Sequence, residues 1–209
     1  MIPTPYFIID FHVHSPISTC SRTTFLGILN WASRKNLNGL VVTDHDTYHG
    51  VEKMRTHAIS SEITIYRGIE VTSQEGHLLL LGCEDIPPPG MLRSIEILDL
   101  IRDVGGVIIA AHPYRIIHTE YFRESHSLGD LVYELALDGI ELNAKCSKQE
   151  NKLARTAAQS QDLALIGGSD AHQDSEIGAL VTGFDEVIED EDDLIQAIHA
   201  RKCRPLTYY

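Results

Sequence analysis

The sequence predicts a single-domain α/β fold, read as a barrel of parallel strands, and three observations carry that expectation. Short β-branched runs alternate with stretches of helical apolar spacing along the 209 residues, the pattern of βα units around a parallel sheet. Five of those runs end in imidazole or carboxylate: Asp10-Phe11-His12-Val13-His14, Asp44-His45-Asp46, Gly68-Ile69-Glu70 with His77, His112-Pro113, and Ser169-Asp170-Ala171-His172. Parallel strands deliver their C-terminal ends to one face of a sheet or barrel, so five such ends describe one site. Finally, no repeat or low-complexity linker divides the chain; Pro87-Pro88-Pro89-Gly90 is a rigid turn, too short to separate domains.

Taken in order, Phe7 to Val13 reads as the first strand, and Phe25 to Lys35 as a helix with Thr23 or Thr24 as its cap. Asn38-Gly39 ends that helix, Leu40 to Thr43 is a strand, and Val51 to Ser60 a helix. Ile63 to Tyr66 with Gly68-Ile69 forms one strand, and Leu78 to Leu81 a short buried one beginning right after His77. Leu92 to Val104 has helical spacing through Ile95, Leu98 and Ile101, and Val107 to Ala110 is a strand. Leu128 to Leu137 reads as a helix, Gly139 to Leu142 as a strand, Gln149 to Ser160 as a helix and Leu163 to Ile166 as a strand. Leu180 to Phe184 and Glu191 to Ala200 supply a last strand and a last helix, and the basic tail from Arg201 is expected to pack back on the body.

The formal net charge of −13 argues against general nucleic-acid binding, which needs a basic face to displace counterions. It leaves room for a nucleotide substrate, because bound cations can make one acidic pocket locally positive. Part of the excess is the run Asp185 to Asp193, with seven carboxylates, read as a solvated loop and helix start. Four scattered cysteines without a Cys-x-x-Cys pair exclude a zinc ribbon or thioredoxin-like motif and fit a reducing compartment. The start Met1-Ile2-Pro3-Thr4-Pro5 lacks signal-peptide character, and no apolar run approaches the ~18 residues of a membrane span. Cytoplasmic localisation with no membrane partner is the default expectation.

Neutral imidazole with carboxylate suits zinc, manganese or iron. His12 and His14, two apart on a strand, point to the same side, with Phe11 and Val13 expected to face together the other way. Asp170 and His172 repeat the spacing behind Gly167-Gly168, whose backbone turns tightly beside a ligand. Glu70 at a strand end can bridge two ions with its two oxygens, and His77 and His112 stand ready to join it. Asp10, Asp44 and Asp46 are candidates to take the second N–H of a ligating imidazole, or else turn and cap residues.

In order, His-x-His, Thr-Asp-His, Gly-Ile-Glu with a downstream Gly-His, Ala-His-Pro and Ser-Asp-Ala-His span Asp10 to His172. The set resembles the polymerase-and-histidinol-phosphatase (PHP) superfamily of metal-dependent phosphoesterases. The resemblance implies a distorted (β/α)7 barrel with two or three divalent ions at the C-terminal ends of its strands. By matching motif, His12, His14, Glu70 and Asp170 hold one ion; Glu70 bridges to a second completed by His77 and His112; His45 and His172 serve a third. Many members place a further acid or histidine seven or eight residues past the first motif's first His. Here those positions are Thr19 and Cys20, and no acid or histidine lies between Ser15 and Leu26. Either Cys20 substitutes as a soft thiolate, which favours zinc, or the third site is weak or completed by water.

The expected reaction is hydrolysis of a small phosphomonoester or nucleotide by a hydroxide bridging two metal ions, attacking phosphorus in line. The leaving oxygen takes its proton from metal-bound water, Asp46 or His172. Phosphate also needs a cationic clamp, for which Arg115 is the first candidate, Lys145 the second and Arg22 the third. His118 and His126, in the polar segment from Ile116 to Ser127, are further substrate contacts if that segment covers the rim. Two other functions fit the same residues: a metal-dependent amidohydrolase, which shares His-x-His and a late Asp, and a non-catalytic metal-stabilised module. The partner expected is a small phosphorylated substrate, with no stable nucleic-acid partner; nothing in the sequence fixes an oligomeric state.

Overall fold

A computed structural model describes residues 7–85, 88–118, 123–124 and 127–207. Among them the elements run β1 (Phe7–Val13), α1 (Phe25–Arg34), β2 (Gly39–Val42), α2 (His49–Ala58), β3 (Thr64–Arg67), β4 (Ile69–Thr72) and β5 (His77–Leu81). There follow α3 (Ser94–Asp103), β6 (Val107–Ala110), the short β7 (Ile117–His118) and β8 (Arg123–Glu124), and β9 (Gly139–Asn143). The last are α4 (Lys148–Ser160), β10 (Ala164–Gly168), β11 (Val181–Phe184), α5 (Glu191–His199) and β12 (Cys203–Leu206). Among the described residues no helix is long and apolar enough to cross a membrane.

The strands do not close into the expected (β/α)7 barrel. They form two five-stranded sheets, ordered β12-β11-β1-β2-β3 and β10-β9-β6-β5-β4. The difference arises in one stretch of the chain. The run expected as one strand around Gly68 breaks there, so Arg67 ends β3 in the first sheet and Ile69 begins β4 in the second. β4 then turns back into an antiparallel β5, and β5 runs antiparallel to β6, with no helix between β3 and β5. A (β/α)7 barrel needs parallel strands and a helix after each; this stretch supplies neither.

The two sheets nonetheless share one interior. Alternate residues of β5 point to opposite faces. Leu79 and Leu81 join Ile9, Phe11, Val41, Tyr66, Ile109 and Ile166 between the sheets. Leu78 and Leu80 pack instead among Ile97, Leu98 and Ile101 of α3 and Ala154 and Ala157 of α4. A Leu→Ala change at such a position costs about 2–5 kcal/mol. A third cluster lies with α1 and α2 and includes Ile28, Ala32, Leu40, Val51 and Met54.

Single parallel bridges join the sheets where the site forms, Val13 with Ala171 and His45 with Glu70. There His14 N donates to Ala171 O at 3.1 Å, and Asp46 N to Glu70 O at 3.0 Å.

Local chemistry explains most element ends. Thr24 caps α1, its hydroxyl accepting from Gly27 N at 2.9 Å. Asp190 caps α5, whose first turn carries Glu191, Asp192 and Asp193, so part of the acidic run complements a helix dipole. The expected helix from Leu128 to Leu137 is instead a 3₁₀ turn over Gly129–Tyr133; Gly129 stands at φ 55° and interrupts helical geometry. The basic tail does pack back, as β12 antiparallel to β11, with Arg204 paired to Asp185 at 2.8 Å. Pro205 is tolerated because β12 is an edge strand.

Candidate metal centre

The first two histidines reach the site because β1 changes phase. Ile9 and Phe11 belong to the core between the sheets, whereas Val13 belongs to the cluster with α1 and α2. Phe11 and Val13 therefore do not share a face, contrary to the alternation expected from sequence. The register between β1 and β2 shifts between Asp10 and Val13, and a bulge of this kind re-aims side chains. Asp10 fixes the turn of the chain here, accepting from Ser169 N at 2.9 Å and Gly178 N at 2.8 Å rather than from an imidazole. Burial pushes Asp10 up to about 6 against the lowering effect of those donors.

Glu70, on β4 and almost wholly buried, is the hub. Its Oε2 lies 3.3 Å from His12 Nε2, 3.2 Å from His14 Nε2 and 3.1 Å from His45 Nδ1. Its Oε1 lies 2.9 Å from His77 Nδ1 and 3.0 Å from His112 Nε2. His77 belongs here although it begins its strand: β5 is antiparallel, so its start lies at the rim where β4 and β6 end. Asp170 completes the set, its Oδ1 3.3 Å from His14 Nε2 and 3.6 Å from His12 Nε2.

Two features fit this set to divalent cations. His12 Nε2 and His14 Nε2 stand 3.0 Å apart in a dry interior, where only one proton or a shared cation makes such proximity favourable. Glu70 Oε2 has no hydrogen bond of acceptable geometry although three imidazole nitrogens stand within 3.3 Å of it, a buried acceptor that a cation would satisfy. Ligand atoms of His12, His14 and Asp170, and those of His12, Glu70 and His112, lie within 4.8 Å of one another.

The electrostatics without an ion follow from the crowding. Burial disfavours the His12 cation, but Glu141, Glu70 and Asp170 outweigh it and hold the ring well above the usual imidazole range. Burial would raise Glu70, yet His12 and its neighbours drive it well below the carboxylate range. His45 is lowered to about 4, chiefly by burial, which prevails over the raising effect of Glu70. His172 is lowered too, by burial and by His14.

The supporting residues are partly ones the sequence reading passed over. His12 Nδ1 is held by Glu141 Oε1 at 2.9 Å, while Glu141 Oε2 accepts from His112 N at 2.7 Å. A signal existed: Gly139-Ile140-Glu141 repeats the tripeptide Gly68-Ile69-Glu70. His14 Nδ1 meets Ser18 Oγ at 3.2 Å, and Ser18 donates to Asp44 Oδ1 at 2.5 Å, so Asp44 reaches the imidazole through a serine. His112, Asp170 and Asp46 all stand at positive φ, 29°, 53° and 51°, a conformation costly for non-glycine residues and concentrated at functional sites.

The cleft holds about 320 Å³ and is walled by His45, Glu70, His77, His112, Asp170 and His172 together with Cys20, Arg115 and Lys145. Arg115 Nη1 lies 2.6 Å from Asp170 Oδ2, and Lys145 Nζ 3.2 Å from both His172 Nδ1 and Glu176 Oε2. Arg22 is exposed; it donates its backbone N–H to His172 O at 2.8 Å and is not part of the cleft wall. Asp46 is also absent from that wall, its two oxygens accepting from Thr72 N at 3.0 Å and Thr72 Oγ1 at 3.1 Å. His126 lies outside the described residues, and His118 is described only through its backbone strand. A larger groove of about 460 Å³, beside β11 and α5, contains none of these ligands.

A family model described as PHP-associated matches residues 148–203. The uncharacterized protein MJ0417 of Methanocaldococcus jannaschii is 29% identical over 190 residues, covering 89% of this chain and 74% of that protein. The fold is similar to that of a two-domain protein from Bacteroides vulgatus containing a predicted PHP-like metal-dependent phosphoesterase, with TM-score 0.70 and 17% identity. That match covers 100% of this chain and 68% of the other. It is also similar to an amidohydrolase from Chromobacterium violaceum with bound sulfate and no metal, at TM-score 0.64 and 17% identity, covering 95% and 97% of the two chains.

Proposed function

We propose that the chain is a member of the PHP superfamily and a metal-dependent phosphoesterase acting on a small phosphomonoester or nucleotide. The observation that carries this reading is the two-sided use of Glu70, three imidazoles within 3.3 Å of one carboxylate oxygen and two within 3.0 Å of the other. His12, His14, Asp170 and Glu70 would hold one divalent ion, and Glu70, His77 and His112 a second, with His45 and His172 available to a third. Ions bound there supply Lewis acidity and an acidified water nucleophile near neutral pH.

The remaining roles fall to the protein's own groups. Arg115 offers a planar fork matched to two phosphoryl oxygens, and Lys145 a point charge on the same wall. Arg115 is held by Asp170 and Lys145 by Glu176 and His172, so both stand on the cleft wall to offset phosphoryl charge, which is most of what phosphoryl transfer asks of a protein. Asp46 is committed to Thr72 through both oxygens, which leaves His172 and water in the open cleft as sources of the leaving oxygen's proton.

The test is metal content per chain by elemental analysis, wild type beside Glu70→Ala, paired with manganese- and zinc-supplemented assays. p-Nitrophenyl phosphate would be run against amide and lactone substrates. Loss of two or more ions together with phosphatase activity in Glu70→Ala supports the reading. Turnover of amides or lactones but not phosphoesters replaces it with the amidohydrolase function. One ion or none, insensitive to Glu70, leaves a non-catalytic module.

A further inference from the structure

We propose that Cys20 is a metal ligand which, with His45 and His172, forms a sulfur-bearing third position beside the ions held through Glu70. The proposal rests on the metal-centre reading above and deepens it by naming a thiolate and the class of ion it selects.

Ligand atoms of His14, Cys20, His45 and His172 lie within 4.8 Å of one another. His14 is already engaged, its Nε2 within 3.3 Å of both Glu70 and Asp170, which leaves the thiol and two imidazoles to the third position. The segment presenting Cys20 is bonded to the residues it would join. Ser18 Oγ donates to Asp44 Oδ1 at 2.5 Å, Arg22 N to His172 O at 2.8 Å, and Thr23 Oγ1 to His14 O at 2.8 Å. Ser21 N closes the turn onto Ser18 O at 2.9 Å. The thiol is thus carried on a loop anchored before and after it, which lowers the ordering cost of coordination.

The imidazoles are oriented as ligands are. His172 Nδ1 lies 2.9 Å from the Asp170 carbonyl oxygen and 3.2 Å from Lys145 Nζ, so that nitrogen is engaged and the other ring nitrogen is the one left for an ion. His45 Nδ1 lies 3.1 Å from Glu70 Oε2, which sets the ring against the carboxylate at the hub of the site. Cys20 is exposed and walls the cleft, so an ion reaches it from solvent. The thiol proton passes to solvent as the ion binds. Two imidazoles and one thiolate make a three-ligand site with an open fourth position, favouring zinc or cobalt over manganese or magnesium. The centre is then chemically uneven, with a carboxylate-containing pair beside a sulfur-bearing neighbour.

Cobalt(II) titration of metal-free protein tests this directly. Wild type is expected to develop a near-ultraviolet sulfur-to-cobalt charge-transfer band. Cys20→Ser loses the band, Cys20→Asp loses it but retains the cobalt count, and Cys146→Ser keeps it. In parallel, zinc slows alkylation of Cys20 by iodoacetamide, followed by peptide mass mapping, by about tenfold or more. Cobalt bound without the band, or Cys20 alkylated equally fast with and without zinc, overturns the proposal. A band in a protein that hydrolyses no phosphoester keeps the sulfur ligand and removes the phosphoesterase reading. Hydrolysis without a band does the reverse.

Discussion

Glu141 holds two ligand-bearing segments with the two oxygens of one buried carboxylate, 2.9 Å from His12 Nδ1 and 2.7 Å from His112 N. It fixes the ring of one and the backbone of the other, and so couples β1 to the end of β6. Partners of ligating imidazoles typically set metal affinity by 10–100-fold. Glu141→Gln is therefore expected to weaken metal binding by about that factor in chelator competition, with far-ultraviolet dichroism unchanged. Unaltered affinity would mean that Glu141 only fills space.

Removing metal should invert the pH dependence of stability. In metal-free protein His12 and His14 are both raised above 6.5, because carboxylates outweigh burial. Above pH 6.5 the native state then binds more protons than the unfolded chain, so stability falls as pH rises through the raised values. Metal-loaded protein needs those rings neutral, and its stability is expected to hold or rise over the same range. Melting curves from pH 6.5 upward, with chelator and with zinc or manganese, check the crossing; parallel curves would contradict it.

Arg115→Ala should lower kcat/KM for a phosphomonoester by about 10–100-fold, the loss of charge-assisted hydrogen bonds worth about 1.5–3 kcal/mol. The metal count should be unchanged, since the Arg115 guanidinium meets Asp170 at Oδ2 while Oδ1 faces the histidines. Arg115→Lys should recover part of the loss. Steady-state kinetics within twofold of wild type would take the guanidinium out of substrate binding.

Gly168→Ala should damage the centre without touching a ligand. A Cβ there would stand 2.3 Å from Glu141 Oε1 and 2.6 Å from His12 Cβ, so Glu141 must leave His12 or the strands must separate. A stability loss of about 1–3 kcal/mol is expected, with weaker metal retention on gel filtration. Wild-type behaviour in both would show that the carboxylate moves aside freely.

The candidate ligands were legible because each stands at the rim of its own strand, a local signal; even His77 was placed by following Glu70. Their supports were not, because they depend on which strands are neighbours. Glu141 serves His12 across 129 residues of sequence, and Ser18 carries Asp44 to His14 only because β1 and β2 are adjacent. The elements were likewise readable one by one, while the split into two sheets turned on a break at Gly68 and the direction of β5. Strand pairing is decided by nonlocal packing that hydrophobic periodicity does not encode. Asp46 shows the same limit: beside His45 in sequence, it is turned to Thr72 by contacts 26 residues away.

The ligands come from both sheets: His12, His14 and His45 from the first, Glu70, His77, His112, Asp170 and His172 from the second. The set His12, His14, Glu70 and Asp170 draws on both sheets, whereas Glu70, His77 and His112 all come from the second. An ion shared by His12, His14, Glu70 and Asp170 would therefore work as a rivet across this seam, beside the bridges Val13–Ala171 and His45–Glu70 and the bonds from Ser169 N to Asp10 and from Gly167 N to Thr182 Oγ1. Uptake at the position built on His12, His14, Glu70 and Asp170 would consequently report assembly: a chain whose sheets have each formed but not docked has only half of those four ligands on either side.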